Sequence, residues 1–366
     1  MKTTHRFFFT SSENLDTIAD NTIDLVVTSP PYPMIEMWDK MFIMHDRAIE
    51  KALKKCDGNL AFDLMHKVLE PVWDELFRVT RPGGFVCINI GDATRTIGSD
   101  FAIYSNHSRI MQYLVSAGFT ALPEIIWRKQ TNAPNKFMGS GMLPAGAYVT
   151  LEHEFILIFR KGGKREFKTA EKKISRRQSA IFWEERNIFF SDIWFDIKGS
   201  RQELADKRTR KRSAAFPFEL ACRLINMYSV KGDTVLDPFL GTGTTSAAAM
   251  ACARNSIGYE IDTLLKPSIH GICTDITALS DSHTNKRILR HLKFITTRRS
   301  SGKTFKHTNI HYGFPVVTAQ EKELMLHRIQ SVQTLCDESI QVEYSDLPGM
   351  DFTAISLDQE SDLFSA

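Results

Sequence analysis

Residues 23–33 constrain the fold of this chain more than any other stretch. Ile23-Asp24-Leu25-Val26-Val27 is a short apolar run, and Thr28-Ser29-Pro30-Pro31-Tyr32-Pro33 follows it directly. The run reads as a buried strand. Two consecutive prolines have no amide hydrogens to give a sheet ladder, so the strand must stop there. A hydroxyl (Ser29), a stiff pair of proline residues and an aromatic face (Tyr32) are then expected at the strand's C-terminal end. Open α/β sheets bind their ligands at that edge. The same residues also suit a proline-rich turn carrying a surface tyrosine, and the segment alone leaves both readings open.

The surrounding pattern favours an α/β sheet. Phe85 to Ile90, Glu124 to Trp127 and Glu154 to Phe159 read as further strands, with Arg81-Pro82-Gly83-Gly84 as a turn. Ser108 to Gly118 reads as a helix ending at glycine. Strands alternating with helices predict a mostly parallel sheet with helices on both faces. Residues 1–160 form the first part of this domain. Residues 161–213 interrupt the rhythm and read as an insertion. Residues 214–262 resume it: helix Phe218 to Tyr228, strand Thr234 to Asp237, helix Thr245 to Ala253, strand Ser256 to Ile261. Residues 263–366 form a C-terminal extension with no evident role.

Charge sharpens this division. The 366 residues carry a net charge of only +3. From Arg160 to Arg212, however, 17 Lys/Arg face 8 Asp/Glu. A second run, Asn285 to His307, holds 8 Lys/Arg and no acid, while no Lys or Arg follows Arg328. Positive charge concentrated on a nearly neutral chain points to a polyanionic partner. No apolar run approaches the ~20 residues of a membrane span, and the N-terminus has no signal-peptide pattern. The six cysteines are scattered with no Cys-x-x-Cys pair, which suggests neither a metal site nor a disulfide framework. A reducing cytoplasm of prokaryotic type is the expected compartment.

A second motif, Asp237-Pro238-Phe239-Leu240-Gly241-Thr242-Gly243-Thr244-Thr245, lies between a strand and a helix. Glycines there let backbone approach a ligand. It lacks the third glycine of a dinucleotide fingerprint and the Gly-Lys-Ser/Thr of a phosphate loop. Glu260 closes the next strand, where a carboxylate can accept hydrogen bonds from ribose hydroxyls. Together these features point to a nucleoside cofactor.

The two motifs together resemble the amino-methylating DNA methyltransferases that use S-adenosyl-L-methionine. Asp237-Pro238-Phe239-x-Gly241-x-Gly243-Thr244-Thr245 resembles that family's cofactor motif, and Ser29-Pro30-Pro31-Tyr32 its catalytic motif. Phe216-Pro217, before the cofactor motif, resembles the segment that covers the cofactor's methionine part. The catalytic motif comes first, with a basic insertion between the two, as in the circularly permuted beta class. The resemblance spans residues 7–262. It implies a Rossmann-like fold, no metal, and double-stranded DNA as the partner. It also implies target recognition by the insertion and a separately acting cognate restriction endonuclease. Beta-class enzymes often carry Gly-Asp after their first strand. Here Thr10-Ser11-Ser12-Glu13-Asn14 stands there, and the resemblance assigns it no role.

The implied chemistry is direct methyl transfer to an exocyclic amino group. Ser29 Oγ and the Pro30 carbonyl would accept the amino hydrogens, and Tyr32 would stack on a flipped-out base. Ser at the head of the tetrapeptide is mostly associated with N4-cytosine products, Asp or Asn with N6-adenine. Cytosine C5 chemistry is disfavoured, because it needs a nucleophilic cysteine after proline and none occurs. A nicotinamide dehydrogenase shares the strand–turn–helix–strand–acid pattern and is the remote alternative. The aromatics of the insertion suit a small core. Met34, Met37, Trp38, Met41 and Met44 suit core or lid packing, and His45, His66 and His153 suit structural or exposed positions.

Overall fold

The computed structural model describes residues 1–129, 138–199, 216–336 and 338–346. In chain order, β1 (Lys2–Phe8) and β2 (Ile23–Thr28) precede α1 (Asp39–His45), α2 (Arg47–Lys54) and α3 (Gly58–Val79). Next come β3 (Thr80–Ile90), the hairpin β4 (Ala93–Ile97) and β5 (Asp100–Tyr104), α4 (Asn106–Ser116) and β6 (Phe119–Arg128). The short pair β7 (Met138–Gly139) and β8 (Ala147–Tyr148) leads to β9 (His153–Lys161). The basic segment supplies α5 (Ala170–Gln178), α6 (Trp183–Phe189) and β10 (Ile193–Trp194). After the insertion come α7 (Phe218–Tyr228), β11 (Thr234–Asp237), α8 (Thr244–Ala251) and β12 (Asn255–Tyr259). The chain continues through α9 (Lys266–Thr274), α10 (Ile276–Ser300), the short pair β13 (His307–Thr308) and β14 (Pro315–Val316), β15 (His327–Cys336) and β16 (Ser339–Asp346).

One ten-stranded sheet runs β10-β6-β9-β3-β2-β11-β12-β1-β16-β15. Its centre, from β3 to β1, is parallel. The pairs β3/β9, β6/β9, β1/β16 and β15/β16 are antiparallel. All six residues of β2 are buried, because both faces of the sheet are covered. Val26 joins a core with α3 and α4, whereas Leu25 and Val27 join a core with α7 and α8. α3 shows how sequence makes such a face. Asp57 caps it by accepting from Leu60 N at 3.0 Å. Ala61, Met65, Leu69, Val72, Trp73 and Leu76, three or four apart or adjacent, then line its buried side.

Three boundaries differ from the sequence reading. Arg81-Pro82-Gly83-Gly84 does not precede β3; it is looped out within it. Ile23 pairs with Thr80 and Leu25 with Phe85, and Gly83 takes φ +82°. The described part of the basic insertion is not a separate module. β10 pairs with β6 as an edge of the main sheet, and Trp194 lies in the same core as Trp127. The C-terminal residues are likewise integral, since β16 pairs with β1. Residues 200–215 of the insertion, the loop 132–137 and the acidic tail from 347 lie outside the described residues.

Candidate active site

The strand order brings the two motifs together. β2 and β11 are parallel neighbours, with Leu25 opposite Val235 and Val26 opposite Leu236. From β2 the chain crosses to β3 on one side. From β11 it crosses to β12 on the other. The loops after β2 and β11 therefore diverge at a topological switch point, where a crevice opens. A cavity of about 440 Å³ lies there. Ser29, Pro30 and Pro31 line it from one loop, and Asp237, Pro238, Phe239, Gly241, Thr244 and Thr245 from the other. Phe216 and Glu260 complete the expected set.

Three expected site residues do not line the cavity. Pro217 is the N-cap of α7. Gly243 caps α8 with φ +91°, and a Cβ there would meet Ile272 at 3.1 Å. It is needed for close helix packing. Tyr32 is the third. Its ring is 9 % exposed rather than displayed at the edge.

Asp237 organises the glycine-rich loop after β11. Its Oδ1 accepts from Thr28 Oγ1 at 2.6 Å and from Phe239 N at 3.0 Å, and its Oδ2 accepts from Thr245 Oγ1 at 2.6 Å. Burial pushes its carboxyl up to about 6. Glu260 accepts from Gly241 N and Asp262 N, each at 2.8 Å. Burial pushes it up to about 7. Each of its oxygens keeps a second lone pair for a ligand donor.

The loop after β2 carries a directional chain of hydrogen bonds. Ser29 Oγ donates to Tyr32 Oη at 3.1 Å, and Tyr32 Oη donates to Glu154 Oε2 at 3.0 Å. Asn89 Nδ2 donates to both, at 2.9 and 2.7 Å. Lys129 Nζ holds the other oxygen of Glu154 at 2.9 Å. Burial, and then the Glu154 charge, push the Tyr32 phenol well above its usual range, so it stays protonated. With its hydrogen committed to Tyr32, Ser29 presents lone pairs to the cavity.

The sequence matches the model of the N6/N4 DNA methylase family over residues 23–269. The chain belongs to that family. This DNA methylase is 51% identical over 348 residues to the type II methyltransferase M.MthZI of Methanothermobacter thermautotrophicus, covering 95% of this chain and 97% of the relative. It is 50% identical over 278 residues to the type II methyltransferase M.MjaI of Methanocaldococcus jannaschii, covering 73% and 90%. Its fold is similar to that of a putative DNA modification methylase from Thermus thermophilus, solved in complex with S-adenosyl-L-methionine. That match has a TM-score of 0.58 and 30% identity, covering 74% of this chain and 94% of the other.

Several cavity residues of the methylase were not legible as such. Thr10, Ser11, Ser12 and Glu13 line it because β1 ends at the same sheet edge. Met37, Trp38, Met41, Met44 and His45 line it as well, whereas Met34 of the same stretch is packed in the core. His45 Nδ1 reaches Glu13 Oε1 at 3.2 Å across the mouth. Asn89 and Glu154 had a readable signal: each is polar within or beside a run of buried strand residues. Part of the positive charge is structural. Arg165 pairs with Asp233 at 2.5 Å, and buried Arg287 with Glu185 at 2.6 Å. Among the described residues, no helix is long and apolar enough to cross a membrane.

Proposed function

We propose that this DNA methyltransferase moves the methyl group of S-adenosyl-L-methionine to the N4 amino group of a cytosine flipped out of double-stranded DNA. The reading gives it the protective role in a restriction–modification system. The observation that carries the reading is Ser29, at the cavity wall beside the cofactor loop with its own hydrogen committed to Tyr32. An acceptor at that place suits an amino group, which has hydrogens to give.

The exocyclic nitrogen is a weak nucleophile because its lone pair is delocalised into the ring. Ser29 Oγ and the Pro30 carbonyl accept its two hydrogens and favour a pyramidal nitrogen. The lone pair then points at the cofactor methyl, made electrophilic by the sulfonium. Phe216, Trp38 and Phe239, which line the cavity, would enclose the cofactor, and Glu260 would receive its ribose hydroxyls. Displacement is direct, so positioning and fixed dipoles supply the rate. A duplex base cannot reach the cavity and must leave the stack. Tyr32 serves chiefly to orient Ser29.

The test is product analysis. The protein is incubated with DNA and labelled cofactor, the DNA is digested to nucleosides, and the label is located by mass spectrometry. N4-methylcytosine is expected. N6-methyladenine would overturn the base assignment and leave the amino-methyltransferase reading standing.

A further inference from the structure

Three side chains that methyl transfer does not use meet at the C-terminal end of α8. Cys222 lies in α7, Cys252 caps the end of α8, and His283 lies in α10. All three are buried. One ligand atom from each lies within 4.8 Å of the other two. The His283 ring is 8 % exposed, and its Nε2 has no hydrogen-bond partner among the described residues. A buried ring nitrogen is ordinarily paired. His283 Nδ1 faces Glu219 Oε2 at 3.3 Å. With the proton on Nδ1 and held by that carboxylate, Nε2 carries the lone pair. Carboxylate, imidazole and metal are arranged this way around many metal-binding histidines.

We propose that Cys222, Cys252 and His283 bind a thiophilic metal ion, with Zn2+ the preferred occupant. Two thiolates and a neutral imidazole are a soft donor set that suits Zn2+. Two thiolates also neutralise a divalent charge, which suits a buried centre. Tetrahedral zinc places sulfur and nitrogen donors ~3.5–3.8 Å apart. The cluster therefore closes around an ion by side-chain shifts of about an ångström or less. Asn226 Nδ2 donates to Cys252 Sγ at 3.3 Å, an outer hydrogen bond of the kind that orients a ligating sulfur. Binding releases the two thiol protons to solvent and oxidises nothing.

The ion would fasten three helices distant in sequence. α7 begins two residues after Phe216, which lines the cofactor cavity. α10 belongs to the C-terminal segment. A bound ion thus ties that segment to the wall of the cofactor site.

The test uses the full chain, stripped with a chelator under reducing conditions and titrated with Co2+ as an optical probe, then with Zn2+ in competition. One equivalent is expected to bind, with thiolate-to-cobalt charge-transfer absorption and a raised thermal midpoint. Cys222→Ser and Cys252→Ser should each weaken that absorption. Glu219→Gln keeps all three ligands and should lower affinity ~10–100-fold. Elemental analysis of the folded, gel-filtered wild-type protein gives a readout independent of those variants: one Zn2+ per chain is expected to stay bound. No stoichiometric uptake by the reduced wild-type chain would overturn the proposal. So would absorption that persists unchanged in both cysteine variants. A Cys222–Cys252 disulfide formed in air by a chain that binds no metal when reduced would also overturn it, in favour of a redox pair.

Discussion

Thr28 Oγ1 donates to Asp237 Oδ1 at 2.6 Å, joining the catalytic and cofactor motifs across 209 residues of sequence. Both side chains are buried. The bond fixes the end of β2 against the end of β11, so the two loops keep one geometry. Thr28→Val preserves shape and removes the donor. We expect a loss of about 1–3 kcal/mol, the cost of leaving a buried acceptor short of a partner. Urea unfolding measures it, and Thr28→Ser should recover most of the loss.

Ser29→Ala removes the acceptor proposed for the substrate amino group and leaves the cofactor loop untouched. Turnover should fall roughly 10²–10³-fold, as for loss of one positioned hydrogen-bonding group at a reacting centre. Cofactor affinity, read by equilibrium binding, should change little. A matching collapse of cofactor affinity would refute the assigned role.

Tyr32→Phe tests the hydrogen-bond chain. Without the phenol oxygen, Ser29 loses the partner that takes its hydrogen, and Glu154 loses a donor. The Ser29 hydroxyl can then rotate and present its hydrogen to the cavity. Turnover should drop roughly five-fold, the equivalent of about 1 kcal/mol for one net hydrogen bond. The effect should be smaller than that of Ser29→Ala, with cofactor affinity unchanged. Single-turnover rates at saturating cofactor decide it.

Glu260 predicts a pH dependence. Its carboxyl is raised to about 7 in the folded, cofactor-free protein. Ribose hydroxyls donate to the ionised form, so cofactor affinity should be full above about 7 and fall as pH drops through it. Stability runs the other way. A carboxyl raised above its unfolded value of 4.5 stabilises the fold below that value, and the contribution is lost as pH rises through about 7. Glu260→Gln should flatten both profiles, read by calorimetric binding and by thermal midpoint across roughly pH 4 to 8.

Trp38 lines the cavity. Trp38→Ala should raise the cofactor Kd roughly tenfold, about 1.4 kcal/mol, because less apolar surface is removed from water on binding. Global stability should fall less than for a fully buried tryptophan such as Trp73. Binding and unfolding measured on the same variant separate the two effects.

Sequence alone determined the local pieces of this methylase. The apolar run Ile23–Val27 ended by Pro30-Pro31 made a strand with a loaded edge, and the Gly241–Gly243 turn opened a helix over the next strand. The alternation of strands and helices predicted the mostly parallel sheet, and the order of the two motifs resembled the permuted class. These were legible because periodicity, proline and glycine act over a few residues. Tertiary structure decided what depends on distant partners. Strand order made β2 and β11 neighbours and gave Thr28 its Asp237. It also turned Tyr32 inward to Glu154, drew the Met37–Met44 stretch over the cavity, and put Cys222 beside Cys252 and His283. A lone polar residue has the same local pattern whether its partner is water or a buried carboxylate. Only packing settles which, because burial makes an unpaired polar group costly and so selects the partner.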